Sequence, residues 1–543
     1  MNPDPIIMLR TFANKLIITC ITVGLLSACS PVRDMRFRAH YHDANDLLYA
    51  AAIEGDLPYL KAHLNDGGIV LFSESWDIDM QEEIVTGDGQ HFDFNRRFVR
   101  DGEMTVFVDS VVIFETNKMP KNNDQSRTAA LTVLGGLNTT LGIYCLAVPK
   151  ACFGSCPTFY LDDDQDIHYA RAEGFSNAIA PGLEYTDIDA LNINMTTGGT
   201  FPLTMKNEAY ETHNVRSLNL LAVPREEGQR VYHTHDDKFF ITRQGVEPAS
   251  ARSANEDVTY LLKKDDQEEY FSLADPDNLR STEEIFLQFD ISGNTRELGL
   301  IAGFRQSLMT TYLLYNAFDH MGNLYGDLLA AVSTADYDAP TIADVLYEQL
   351  GGITVYLWNS HDREWVCQGT WYETGPIAIN HQLMLLDAVH PKEDIRIKLE
   401  MNRGMWRLDY LHLAEIIEEV TPLEIPVARV SANEKQDEDL LQIMLDGDAY
   451  LVSQPGDIYR FEFELPPDHD DYELFLSARG FYMVWGREEW QKEKDLYSLY
   501  MMRHHPGRYL KKHAQAYKEY EKVMEEAFWG SRVKHQIISG HEK

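Results

Sequence analysis

From residue 69 onward the chain alternates apolar and polar side chains in short runs, broken at clusters of Gly, Pro, Asn and Asp. A period of two sends successive side chains to opposite faces of an extended segment, so a chain patterned this way must bury one face of many short strands. Residues 84–94 alternate around Gly87-Asp88-Gly89, a hairpin signal, and 104–115 read as one or two further strands. Residues 156–300 are strand-rich, with turns expected at 162–166, Pro181-Gly182, Gly198-Gly199, 226–229 and Ser292-Gly293. Residues 354–358 and 365–371 form an aromatic hairpin around a polar turn at 359–362, and 395–399 is expected to pair with 405–413 as an antiparallel ribbon. The fold class expected is mainly β, antiparallel sandwiches with inserted and C-terminal helices, in place of a parallel α/β sheet.

Helical periodicity is confined to a few places. Phe304 to Val332 carries Leu308, Tyr312, Tyr315, Phe318 and Met321 at spacings of three and four, a substantial helix. From Glu488 the tail is helical, with Lys, Arg and His crowded between Arg503 and Lys518; the basic helix is expected to lie against the acidic body. Residues 129–148 are apolar but interrupted by Gly135-Gly136 and Asn138-Thr139-Thr140, so a buried helix or hairpin is expected there, not a membrane span. The expected division is 1–28, an export signal; 29–45, a polar tether; 46–68, a helical hairpin; 69–150, β-hairpins with the apolar segment. There follow 151–302, a β-rich domain; 303–336, a helical connector; 337–480, a β-sandwich; and 481–543, a helical tail.

With 48 Lys and Arg against 86 Asp and Glu, the 543-residue chain carries a net charge of −38. Such a surface repels a phosphate backbone, which excludes nucleic acid as a partner of the whole chain. Its 44% hydrophobic content supports a large packed core.

Arg10 and Lys15 precede a short apolar stretch, 16–26, that ends in Leu26-Ser27-Ala28-Cys29. A positive flank, a short apolar core and small residues before the cut mark a secretory signal. Cys29 after Leu-Ser-Ala resembles the bacterial lipobox, which implies a diacylated Cys29 as the first mature residue and a membrane partner through its lipid anchor. Ser30 in the next position resembles the outer-membrane sorting choice.

The other cysteines fit export. Cys20 leaves with the signal, and Cys145, Cys152, Cys156 and Cys367 permit two disulfides in an oxidising compartment. Cys152 and Cys156, in Cys-Phe-Gly-Ser-Cys, are close enough for a tight loop closed by Gly154. Free thiols and a zinc site are the competing readings of that pair.

No G-x-S-x-G, H-E-x-x-H, P-loop or G-x-G-x-x-G pattern occurs. Two cation sites are readable. Asp162, Asp164 and Asp166, with Glu173 eleven residues after the first, match the acidic positions of a calcium loop, although Ile167 stands where that loop needs Gly. A solvated acidic turn accounts for the same residues. His233 and His235 would share one face of a strand over 231–235, able to hold Zn with a third ligand, or simply stand exposed. Trp358, Trp365, Trp371, Tyr356 and Tyr372 crowd one hairpin and are expected in the core, as is Trp406; exposed, the hairpin rings would stack on sugars or fill a protein interface.

Two resemblances follow from particular segments. Residues 46–68, with Leu47, Leu48, Ala51 and Ala52, then Leu57, Leu60 and Leu64 around Gly55-Asp56, resemble a single ankyrin unit, which would have to pack on its neighbour. Lys150-Ala-Cys-Phe-Gly-Ser-Cys-Pro-Thr-Phe-Tyr160, with Ala172-Glu-Gly-Phe-Ser176 and Ala180-Pro-Gly-Leu-Glu184, resembles a family of uncharacterised bacterial exported proteins over about residues 85–420. That resemblance implies an extracytoplasmic location and supplies no catalytic residues. The expected function is a non-enzymatic, outer-membrane-anchored component that binds or scaffolds an envelope protein or polysaccharide; the rival is an envelope hydrolase with a dispersed carboxylate or metal site.

Overall fold

The alternation is realised as sheets, nearly all antiparallel, and the chain is mainly β. The structure, a computed structural model, describes residues 37–38, 60–116, 156–161, 170–322, 342–387, 395–484 and 494–521, with short gaps inside these spans. Among the described residues no helix is long and apolar enough to cross a membrane. The signal with Cys29, the tether, and residues 129–148 lie outside the described residues.

The N-terminal sheet has the strand order Phe37–Arg38, Val111–Thr116, Leu60–Leu64, Ile69–Asp79, Ile84–Phe92, Phe98–Phe107. Its core is Leu60, Ala62, Val70, Phe72, Trp76, Val85, Met104, Val106 and Val111. Leu60–Leu64, expected in the second helix of the ankyrin-like unit, is a strand with neighbours on both sides. Leu60, Ala62 and Leu64 satisfy a period of two as well as a helical stripe, and partner strands decide between the two. Residues 46–59 lie outside the described residues. Gly87–Gly89 is not a hairpin turn either: Ile84–Phe92 runs straight through it, paired on both edges. A Cβ on Gly89 would stand 2.7 Å from the Leu71 carbonyl oxygen, so this glycine serves close strand approach and not chain reversal.

The spans 151–302 and 337–480, expected as separate domains, share their sheets. In an eleven-stranded sheet, Glu211–Pro224 pairs along its length with Asp471–Val484, and Thr200–Lys206 with Ile458–Glu464. Tyr185–Ala190 adds to the far edge of Asp471–Val484. A second sheet closes on itself. Phe239–Arg243, Gln229–His233, Asn380–Leu385, Leu298–Gln306 and Trp406–Val420 pair in that order, and the last returns to the first. The ring has one parallel contact, His233 beside Gln382. Tyr232, Phe240, Ile301, Leu383, Tyr410, Ala414 and Ile416, drawn from all five strands, form one cluster that fills the ring.

The third sheet of the body has the order Ser250–Ser253, Thr282–Phe289, Ile395–Asn402, Ile353–Asn359, Glu364–Trp371. The expected aromatic hairpin is present in it. The expected ribbon of 395–399 with 405–413 is not: Ile395–Asn402 pairs with Thr282–Phe289, whereas Trp406–Val420 belongs to the closed ring. Phe304, expected to start a helix, lies in Leu298–Gln306, where all nine residues are buried. A strand covered on both faces loses its alternation and reads like a helix segment. The helix is Met309–Met321, ended by Gly322 at φ 55°. Ile342–Leu350 and Leu496–His504 pack with it. Residues 506–519 are helical and dock through Tyr509, Leu510, Ala514 and Tyr517, leaving Arg508, Lys511 and Lys512 exposed. The tail thus lies against the body through its apolar stripe and the Lys518 ammonium, which donates to Ala274 O at 2.8 Å, while those three basic side chains face solvent.

Candidate functional site

Where the ring, the eleven-stranded sheet and the Ile342–Leu350 helix meet, they leave a cleft of about 360 Å³. One wall is the hairpin after Gln229–His233. The strand stops at His233, the Thr234 amide donates to Lys238 O at 2.8 Å, and the Asp237 amide donates to Thr234 O at 3.0 Å. Asp237 adopts φ 57°, a left-handed turn conformation that Asp tolerates better than most residues. The parallel contact of the ring puts Gln382 beside His233, and both line the cleft. The opposite wall is the edge strand Tyr185–Ala190, bearing Tyr185 and Asp187. Tyr347, from the Ile342–Leu350 helix, and Tyr372, just after Glu364–Trp371, also line it, as does the 1% exposed Trp406 of the ring.

His233 is 3% exposed, lies against Phe239 and Phe475 at ring distances of 6.0 and 5.7 Å, and its Nδ1 has no hydrogen-bond partner among the described residues. Burial, with His381 and His235 nearby, pushes it down to about 4, so the ring is neutral at neutral pH. Asp187 is half-buried. Burial pushes its carboxyl up to about 6 against the pull of the Phe175 amide and the Tyr185 hydroxyl, which donates to Oδ2 at 3.3 Å; the Asp237 charge adds to the rise. Asp237 is also raised, by burial first and by Asp236, against the pull of His235. No Lys or Arg lines the cleft among the described residues. The site therefore combines two carboxyls that hold protons above their usual range, a neutral imidazole and four aromatic rings.

Buried ion pairs fix the walls. Glu473 accepts from Arg230 Nε at 2.8 Å and Nη2 at 2.9 Å and from Arg225 Nη1 at 2.8 Å, tying the His233 hairpin to the eleven-stranded sheet. Beside Tyr185, Glu184 accepts from Arg216, the residue bulged out of its strand, at 2.5 and 2.9 Å, and from Tyr450 and Arg479.

Of the residues read from sequence as metal ligands, the cleft brings His233 and His235 together, though not as expected. Because the strand ends at His233, His235 lies exposed in the turn, 6.3 Å from the Tyr372 ring. Among the described residues no group of three or more His, Cys, Asp or Glu side chains is placed to hold a metal ion, so the pair has no third ligand there. Asp162, Asp164 and Asp166 lie outside the described residues. Glu173, the fourth residue of that calcium-loop reading, is buried, and its Oε2 accepts from the Ile377 and Ala378 amides at 2.7 and 3.3 Å, anchoring backbone. Cys152, the other half of the possible disulfide, lies outside the described residues; Cys156 is a buried thiol directed at Ser176 O at 3.8 Å. Burial raises that thiol well above its usual range and makes it unreactive.

Trp371 and Trp406 are in the core, as expected. Trp358 and Trp365 are not: half-buried on the outer face of the third sheet, they meet edge to face at 5.2 Å beside the exposed Phe286. The sequence reading missed Asp187, Asp237 and Tyr185. Tyr185-Thr-Asp-Ile-Asp189 alternates like a solvated edge strand, and only its partners across the cleft distinguish it.

No protein-family model matches the chain, and no curated protein does. Among solved structures, a GH31 alpha-xylosidase from Xanthomonas citri shows 8% identity and a TM-score of 0.15, over 79% of this chain and 37% of that one. The infectious bursal disease virus Gt strain structure shows 11% identity and a TM-score of 0.10, over 70% and 99%. Likeness at this level carries no argument about fold or function.

Proposed function

We propose that the chain is an exported, lipid-anchored protein of the outer membrane whose cleft holds a segment of a neutral polysaccharide. The anchor rests on Leu26-Ser27-Ala28-Cys29. The ligand class rests on one observation: the cleft is lined by Tyr185, Tyr347, Tyr372 and Trp406 together with Asp187, Asp237, Asn177 and Gln382, and among the described residues by no Lys or Arg. A sugar ring presents an apolar C–H face and a rim of hydroxyls. Aromatic faces cover the first, and short carboxyl and amide groups bond the second. Without a cation, phosphate or uronate units find no counter-charge in this cleft. The volume falls within the range of small-ligand sites, about 300–1,000 Å³.

The test is calorimetric titration of the mature chain, made soluble by Cys29→Ala, with cellohexaose, maltohexaose and chitohexaose. At least one should bind saturably. Tyr372→Ala, at a rim position 49% exposed, should weaken that binding about tenfold, the equivalent of about 1.4 kcal/mol, with Tm unchanged. Absence of saturable binding across the series would contradict the proposal.

A further inference from the structure

We infer that the cleft also cleaves the glycan it holds, with Asp187 donating a proton to the glycosidic oxygen and Asp237 drawing a proton from the attacking water. This rests on the ligand class proposed above. Two carboxyl groups alone are common in so acidic a chain. Here they face one cavity from two different elements, the edge strand and the hairpin turn, and share it with His233, a side chain 3% exposed whose Nδ1 has no partner among the described residues. The other titratable groups lining the cleft are His235, Tyr185, Tyr347 and Tyr372.

The environments of the two carboxyls differ as acid–base catalysis requires. Asp187 is half-buried beside the Tyr185 hydroxyl, whereas Asp237 is exposed at the tip of the turn. Burial, with the Asp237 charge adding to it, raises Asp187 to about 6, so near that pH Asp187 still holds a proton to give. Held neutral, His233 does not compete as the acid.

The step balances without a redox partner. The bond between the anomeric carbon and the glycosidic oxygen breaks as Asp187 gives that oxygen its proton, leaving a free hydroxyl on the departing chain. Water, the co-reactant, forms the new bond to the anomeric carbon and loses one proton to Asp237. The products are a chain ending in a hemiacetal and a chain ending in an alcohol. Exchange with solvent returns one proton to Asp187 and removes one from Asp237.

The experiment incubates the mature Cys29→Ala protein with the same three hexasaccharides in ¹⁸O-water across pH 4–8 and follows products by mass spectrometry. Expected are shorter oligosaccharides carrying one ¹⁸O at the new reducing end, with a rate maximum near pH 6. Asp187→Asn and Asp237→Asn should each slow release at least 100-fold, within the range of general acid–base catalysis. Each should keep the wild-type circular dichroism spectrum and thermal transition, a readout that excludes a misfolded variant. Binding without cleavage at any pH overturns this inference and leaves the binding proposal standing. Cleavage that survives both substitutions overturns it as well. Failure to bind any of the three overturns both.

Discussion

Asp187 and His233 sit across one cleft and titrate in opposite senses. The folded Asp187 keeps its proton up to about pH 6, compared with 3.8 for an ordinary aspartate. Its contribution to stability is therefore present below about pH 4 and lost as pH rises through 6. For His233, depressed to about 4 from 6.5, the contribution is present above pH 6.5 and lost as pH falls towards 4. Carbon-13 carboxyl NMR should place the Asp187 midpoint near 6; a midpoint near 3.8 would show it fully solvated and unperturbed. In chemical unfolding, Asp187→Asn should gain on wild type between pH 4 and 7, and a pH-independent difference would count against the assignment. His233 and His235 were readable from their two-residue spacing in an otherwise ordinary strand. Asp187 and Asp237 were not, because in a chain with 86 acidic residues only tertiary neighbours mark two of them out.

The cleft depends on how the closed ring is pinned to the eleven-stranded sheet. Glu473 is 2% exposed and holds Arg225 and Arg230 at once. Glu473→Ala removes the carboxylate that Arg230 and Arg225 share, leaving Arg225 its pair with Asp471 at 3.0 Å, and should cost about 3–5 kcal/mol in urea unfolding. A loss below about 1 kcal/mol would mean that water already satisfies the pair. Inside the ring, a Cβ on Gly303 would stand 2.6 Å from the Tyr410 ring. Gly303→Ala should therefore cost about 1–3 kcal/mol by overpacking; an unchanged Tm would show that Tyr410 yields without cost. Elements of this kind were legible wherever one face is solvated, as in the aromatic hairpin. They were illegible where both faces are covered, as in Leu298–Gln306, or where a short stripe fits two periods, as in Leu60–Leu64. Strand pairing was the least legible of all. Residues 395–399 and 405–413 both read as strands, yet each finds partners far away in sequence.

At the scale of the molecule, the two spans read as successive β domains interleave, since Glu211–Pro224 pairs with Asp471–Val484. Alternation reports which residues are covered, not which strand covers them, so the mainly β class was legible and the shared sheets were not. The proposed anchor rests on the sequence alone. Cys29→Ala should move the protein from the membrane to the soluble fraction, and persistent membrane association would argue against acylation as its tether. The most direct test of the ligand cleft is hydrogen–deuterium exchange of the mature Cys29→Ala protein with and without saturating hexasaccharide. Slower exchange is predicted in residues 185–190, 229–239 and 380–385, the walls that meet at Asp187, His233 and Gln382. Protection confined to residues 353–371, under the outer Trp358 and Trp365 face, would contradict the account.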